Sequence, residues 1–442
     1  MLIIKKLISI SLIILLLFIT LSGCVSDESK DTSDVEAETG DYEHFDEPAK
    51  SLDSSSSEHL SEPSDISDES ELKMEFSSDA DVTSESPDIE VIPPEQEREQ
   101  VQIEPGQLTA GEWRDLDNWQ FWLDLMQNQE LDTAVKLWKF NTQNKIETLV
   151  TNGNDPVVDA EVVLTDKQNN TIWATKTDNR GRAYLFSSLY NQSQNTSFNI
   201  KVVSGDAKKV IEDVKLSNKT IDITIENSEK PNELLDLMFV VDTTGSMGDE
   251  LEYLKEELKS VVNRTKDDSN QNLDIRISCN YYRDHGDEYV TRSYPFTKNI
   301  KEVITQISNQ SADGGGDYEE AVETALKDAI ENHQWSENAK ARLLFLVLDA
   351  PPHPTDENIE TLHNVIKEAA EKGIHIIPIA SSGVDKSTEF LLRFFSISTN
   401  GTYVFLTDDS GIGNSHIEPT IGEYDVELLN DLLVRVINKY VK

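Results

Sequence analysis

The chain has 442 residues, with 39 lysines and arginines against 83 aspartates and glutamates, giving a formal charge of −44. That excess excludes nucleic acid as a partner, because a phosphate binder needs clustered cations and this chain repels a polyanion. Two cysteines, Cys24 and Cys279, leave no disulfide framework and no cysteine-rich zinc site.

The length fits two or three domains. Residues 1–23 read as an export signal. Lys5 and Lys6 supply a positive start, and Leu7 to Leu21 is an apolar run short for a spanning helix and right for the core of an export signal. The run ends on Leu21-Ser22-Gly23-Cys24, which resembles the lipobox of prokaryotic lipoproteins. That resemblance implies cleavage before Cys24, lipidation of its sulfur and an anchor on the extracytoplasmic side of a cell membrane. The alternative is an uncleaved anchor helix, and both readings place the rest of the chain outside the cytoplasm. Residues 24–105 read as a disordered acidic tether. Positions 25–105 hold 27 acidic and 4 basic residues with few aromatics, too little apolar surface to offset chain entropy. A coil of that length spans roughly 50 Å, and more with self-repulsion.

Residues 106–140 concentrate Trp113, Trp119, Trp122 and Trp138, four of the six tryptophans. They read as a helical or turn-rich hydrophobic clamp over the later domains, with an exposed carbohydrate or partner platform as the alternative. Residues 141–228 show short β-type runs at Lys145–Val150, Ala160–Thr165, Thr171–Thr175, Arg182–Phe186, Phe198–Val203 and Ile221–Ile225, with turn signals at Asn152-Gly153 and Asn179-Arg180-Gly181. That spacing predicts an all-β sandwich. The stretches Asp155-Pro156-Val157-Val158-Asp159-Ala160 and Thr177-Asp178-Asn179-Arg180-Gly181-Arg182 resemble carboxypeptidase-regulatory or transthyretin-like sandwiches, which implies a spacer without a site of its own. Asn218 is a candidate glycosylation acceptor.

From 234 to 442 strands alternate with helices. Leu235–Val241 is a buried-strand run, and Leu251, Leu254, Leu258 and Val261 line one helix face. Ile275–Tyr281 and Tyr289–Phe296 predict a hairpin. Helices follow over Asp317–His333, Thr355–Lys372, Leu391–Ser396 and Val426–Val441, and strands over Ala341–Leu348, Ile374–Ala380 and Thr402–Leu406. This order predicts a Rossmann-like, doubly wound α/β domain, so the whole is multidomain: an acidic linker, an all-β sandwich and an α/β domain. Ligands of such sheets bind beyond the carboxyl ends of the strands.

Asp242, Thr244 and Ser246 stand there, after the first strand of that domain. At this point the sequence resembles the von Willebrand factor type A domain, whose metal-ion-dependent adhesion site carries Asp-x-Ser-x-Ser. Thr244 keeps a hydroxyl at the first serine position. The resemblance implies a metal role for Asp349, which follows the strand Leu343–Leu348. The family's usual threonine position falls on Gly316, and Asp317 is the candidate replacement. Asp317-x-x-Glu320 also fits a helix capping box. Hydroxyls and carboxylates suit a hard divalent cation, Mg²⁺ first, with Mn²⁺ or Ca²⁺ as alternatives. Asp242 and Asp349 brought together without a cation should repel and raise a pKa. Asp284, His285, Asp287 and His353 form a candidate partner-binding rim, and Cys279 reads as a small buried hydrophobe.

Enzyme signatures are missing. Thr244 spoils a Gly-x-Ser-x-Gly elbow, and neither His-Glu-x-x-His nor a phosphate-binding Gly-x-x-x-x-Gly-Lys loop occurs. The expected function is therefore non-catalytic: a lipid-anchored surface protein, monomeric apart from its partner, that captures a protein carboxylate through a divalent cation. The alternative is a scaffold subunit of a membrane complex in which the metal is incidental.

Overall fold

The computed structural model describes residues 103–190, 195–217, 219–268 and 273–442. The export signal, Cys24, the tether up to residue 102 and Asn218 lie outside the described residues. Among the described residues no helix is long and apolar enough to cross a membrane.

One sheet organises the C-terminal half. Leu234–Asp242 (β10) has Asp274–Tyr282 (β11) on one side and Ala341–Leu348 (β13) on the other, both parallel. Beyond β13 come Ile374–Ala380 (β14) and Tyr403–Leu406 (β15), also parallel, and beyond β11 the short antiparallel strand Thr291–Arg292 (β12). The order β12-β11-β10-β13-β14-β15 reverses direction at β10. β10 and β13 are apolar along almost their whole length because both their faces are covered. Leu235, Leu237, Phe239 and Val241 point into one core, with helices Leu251–Asp268, Ile300–Ser308 and Leu429–Val441 over it. Met238 and Val240 point into the other, under helices Val322–Glu331, Asp356–Lys372 and Lys386–Ser398.

Several bounds differ from those expected. The helix predicted from Asp317 starts at Val322, after an Ala321 cap that makes no side-chain bond, so Asp317 and Glu320 form no capping box. Helix Lys386–Ser398 begins five residues before the predicted Leu391, with Asp385 accepting from the Thr388 N–H at 2.7 Å. The last helix begins at Leu429 because Glu427–Leu428 (β16) is strand.

The sheet also recruits the tryptophan-rich segment. Thr109–Trp113 (β1) lies antiparallel between β15 and β16. Gly111 is required there, since a Cβ would sit 2.4 Å from the Phe405 ring. Helices Trp119–Leu125 and Gln129–Trp138 follow, with Trp122 and Trp138 buried. Phe140 stacks on Phe394 at 5.1 Å, and Trp122 meets the same ring edge-on at 5.6 Å.

The β-rich region forms two four-stranded sheets. Lys145–Asn152 (β2) pairs with Asp155–Pro156 (β3), Arg182–Phe186 (β6) and Ile221–Thr224 (β9). Glu161–Thr165 (β4) lies between Thr171–Lys176 (β5) and Phe198–Ser204 (β7), and β7 also pairs with Ala207–Val214 (β8). β8 escaped the sequence reading because it is a mostly exposed edge strand with Lys208, Lys209, Glu212 and Asp213 in place of an apolar alternation. These sheets do not stand apart from the α/β domain. Trp173, Phe186 and Ile200 share one hydrophobic cluster with Leu362, Val365 and Ile366 of helix Asp356–Lys372, and with Phe394 and Phe395. Arg342 of β13 donates to both carboxylate oxygens of Asp159, at 2.8 and 3.0 Å.

Candidate metal centre

The reversal at β10 leaves a crevice at the carboxyl ends of β10 and β13. β10 delivers Asp242 as its last residue, and Asp349 follows the end of β13. The turn Gly245–Asp249, anchored by buried Met247, then carries Ser246 back toward Asp242. Asp242 is fully buried. Its Oδ1 accepts from the Thr244 N–H at 2.8 Å and the Thr244 hydroxyl at 2.6 Å. Thr244 Oγ1 is 3.2 Å from Ser246 Oγ. Asp242 Oδ2 and Asp349 Oδ1 are buried with no hydrogen-bond partner. The Tyr282 hydroxyl lies close to Asp242 but forms no well-shaped hydrogen bond.

Burial raises the pKa of both acids. The charge of Asp349 raises Asp242 further, while the bonds from Thr244 work against this. For Asp349 the Ser246 hydroxyl opposes burial, and Glu250 and Asp249 reinforce it.

The residue that sequence reasoning missed as a candidate ligand is Glu320. It is 2% exposed, and its Oε2 has no partner. Burial, then Asp242, Asp284, Asp349 and Asp287, push its carboxyl up to about 9. Its backbone is pinned by a Glu320 N–H to Pro351 carbonyl bond of 2.9 Å, which ties it to the loop after Asp349. The signal was the acid two residues beyond Tyr318 in a glycine-opened loop, which the capping-box reading absorbed.

The remaining predicted residues gather beside this group. Asp317 comes together with Asp284 and His353, with one ligand atom from each lying within 4.8 Å of the others. His353 Nε2 is 3.1 Å from Asp284 Oδ1. Asp287 Oδ2 accepts from the Asp284 N–H at 3.0 Å and the Gly315 N–H at 2.9 Å, joining two loops. Gly314 makes this possible: its φ is +80°, and a Cβ there would lie 2.5 Å from the Asp287 carboxylate. His285 reaches sideways to Glu323, with Nε2 at 3.4 Å from Oε1. Gly316 has no atom within 4 Å of a would-be Cβ. Cys279 is buried in β11, and burial pushes its thiol up to about 12, which leaves it inert.

The donor set fits a hard divalent cation. Two hydroxyls and buried carboxylate oxygens without partners face one crevice, and no cation is among the main influences on Asp242, Asp349 or Glu320. A buried charge without a partner is costly, so each of these acids either keeps its proton or takes a counter-ion.

The fold and site thus define a doubly wound α/β domain with an oxygen-lined crevice at its switch point. Residues 236–412 match the sequence profile described as von Willebrand factor A domain, and the chain carries that domain. It is 37% identical over 125 residues to an ariadne-like RING finger protein of Acanthamoeba polyphaga mimivirus, covering 27% of this chain and 11% of that protein. It is 29% identical over 152 residues to the alpha-protein kinase vwkA of Dictyostelium discoideum, covering 34% of this chain and 24% of the kinase. The chain therefore spans no more than about a quarter of these curated relatives, and their names describe proteins that are mostly unmatched here. Among solved structures, the SpRpn10 von Willebrand A domain is similar over 47% of this chain and 95% of its own, at 12% identity and a TM-score of 0.31.

Proposed function

We propose that this chain is a lipid-anchored, extracytoplasmic binding protein whose von Willebrand factor A domain takes a carboxylate from a protein partner through a divalent cation, Mg²⁺ first. The observation that carries this reading is the pair of partnerless buried oxygens, Asp242 Oδ2 and Asp349 Oδ1, beside the Thr244 and Ser246 hydroxyls. Asp242, Thr244, Ser246 and Asp349 would hold the cation, with Glu320 in the place where the family's threonine is missing. A bound cation supplies a coordination position open to a partner's carboxylate. Thr244 directs its proton to Asp242 and so offers a lone pair toward the crevice, and the two hydroxyls add oxygens without adding charge. The β-rich sheets act as a carboxypeptidase-regulatory-like spacer, and Cys24 carries the anchor.

Thermal unfolding of the full chain tests the cation, in chelator and then with graded Mg²⁺, Mn²⁺ and Ca²⁺, beside Asp242→Ala. We expect a saturable rise in Tm that the variant loses. No rise with any ion sinks the metal reading and leaves the scaffold role. Detergent partitioning of the exported protein tests the anchor, which Cys24→Ala should abolish.

A further inference from the structure

We infer that Asp284, Asp317 and His353 form a second cation site beside the first, selective for a first-row transition dication such as Zn²⁺ or Co²⁺ rather than Mg²⁺. The three residues come from three separate loops, yet one ligand atom from each lies within 4.8 Å of the others. An imidazole nitrogen changes the preference of a site, because it suits zinc, cobalt and nickel whereas magnesium demands oxygen. Two carboxylates and a neutral imidazole balance a dication and leave coordination positions open.

The loops are fixed before any ion arrives. His353 lies between Pro352 and Pro354, after Pro351, so the backbone around it has few conformations to lose. Its carbonyl accepts from the Thr355 N–H at 2.8 Å and from Asn358 Nδ2 at 3.1 Å. Asp284 is 9% exposed and held by Asp287, which also anchors the loop leading to Asp317 through Gly315. A second sign is Glu320, buried with a partnerless Oε2, whose backbone bridges to Pro352, the residue before His353.

The two sites are separable by experiment. Metal-free full chain carrying Asp242→Asn, which removes the first site, is titrated with Co²⁺ by calorimetry and visible absorption. We expect one bound ion with d–d bands that report nitrogen ligation. Adding His353→Gln should remove the bands and weaken binding by at least tenfold. Asp317 is exposed, so Asp317→Asn should do the same without disturbing the fold, as circular dichroism would show. In the otherwise wild-type chain, His353→Gln should leave the Mg²⁺-dependent melting shift intact, so failure here and failure of the first site are told apart. The inference is overturned if the Asp242→Asn chain binds no Co²⁺ below millimolar concentration, or if binding survives both His353→Gln and Asp317→Asn.

Discussion

Two clusters of buried acids in this molecule look alike in composition and differ in every partner. At the seam between the tryptophan-rich segment and helix Lys386–Ser398, Asp115 and Glu389 surround Arg393, and all three side chains are fully buried. Arg393 donates to both Asp115 oxygens at 2.7 and 3.0 Å and to Glu389 at 3.0 Å, and its remaining reach goes to the Thr420 carbonyl at 2.8 Å. Trp113 Nε1 adds a bond to Asp115 at 3.0 Å. At the carboxyl ends of β10 and β13, Asp242, Asp349 and Glu320 are as deeply placed, but an oxygen of each has no donor. A buried carboxylate with its own arginine belongs to the architecture. One without any such partner must either keep its proton or take a counter-ion.

That contrast is breakable. The largest effect should come from Arg393→Leu, which strands two buried acids and costs about 3–5 kcal/mol of stability. Denaturant unfolding would read it, and the loss should be the same with and without Mg²⁺. If metal restores it, the two clusters are not distinct.

Asp242→Asn should behave in the opposite way. In chelator it removes a repelling charge while keeping an acceptor for Thr244, so the variant should melt at or above the wild-type temperature. At a hundredfold excess of Mg²⁺ over Kd the wild type gains about 2.7 kcal/mol, and the variant should gain nothing. A variant less stable in chelator would make Asp242 a structural residue.

The pH dependence has a definite sign. Glu320 is raised to about 9 from an ordinary 4.5, so the folded state holds its proton more tightly than the unfolded chain. Its contribution is fully present below about 4.5 and is lost as pH climbs toward 9, because only the unfolded chain ionises freely in that window. Metal-free protein should therefore lose stability across it. Glu320→Gln should flatten the slope, and an unchanged slope would remove Glu320 from the site.

The smallest effect belongs to Gly316→Thr. The position has space, and its φ is not among the left-handed glycines, so folding stability should shift by no more than about 0.5 kcal/mol. Mg²⁺ affinity should rise several-fold if a threonine hydroxyl can still reach the ion, which calorimetry would show.

What the sequence made legible followed from local rules. A largely apolar strand of nine residues ending in Asp242, with hydroxyls two and four residues on, announces both a buried strand and an oxygen-rich crevice. Asp349, which follows the strand Ala341–Leu348, became a candidate only through the resemblance to the von Willebrand factor A domain. Glu320 was not legible, because its role depends on the loop after Gly314 lying against Pro351, a pairing that leaves no periodic mark. β1 was hidden too: Thr-Ala-Gly-Glu-Trp carries a weak strand signal, and its place is set by Phe405 and Tyr424 packing over Gly111.

That strand has a kinetic consequence. β1 meets the loop after β15 through Thr109 and Thr407, which are 298 residues apart. Closing so long a loop is entropically slow, so the other strands of the sheet can pair well before β1 arrives. Until then β15 has an open hydrogen-bonding edge, the kind that recruits a strand from another molecule. The α/β domain cut free at residue 234 would keep that edge permanently, so β1 acts as a built-in guard against self-association as well as a strand of the sheet.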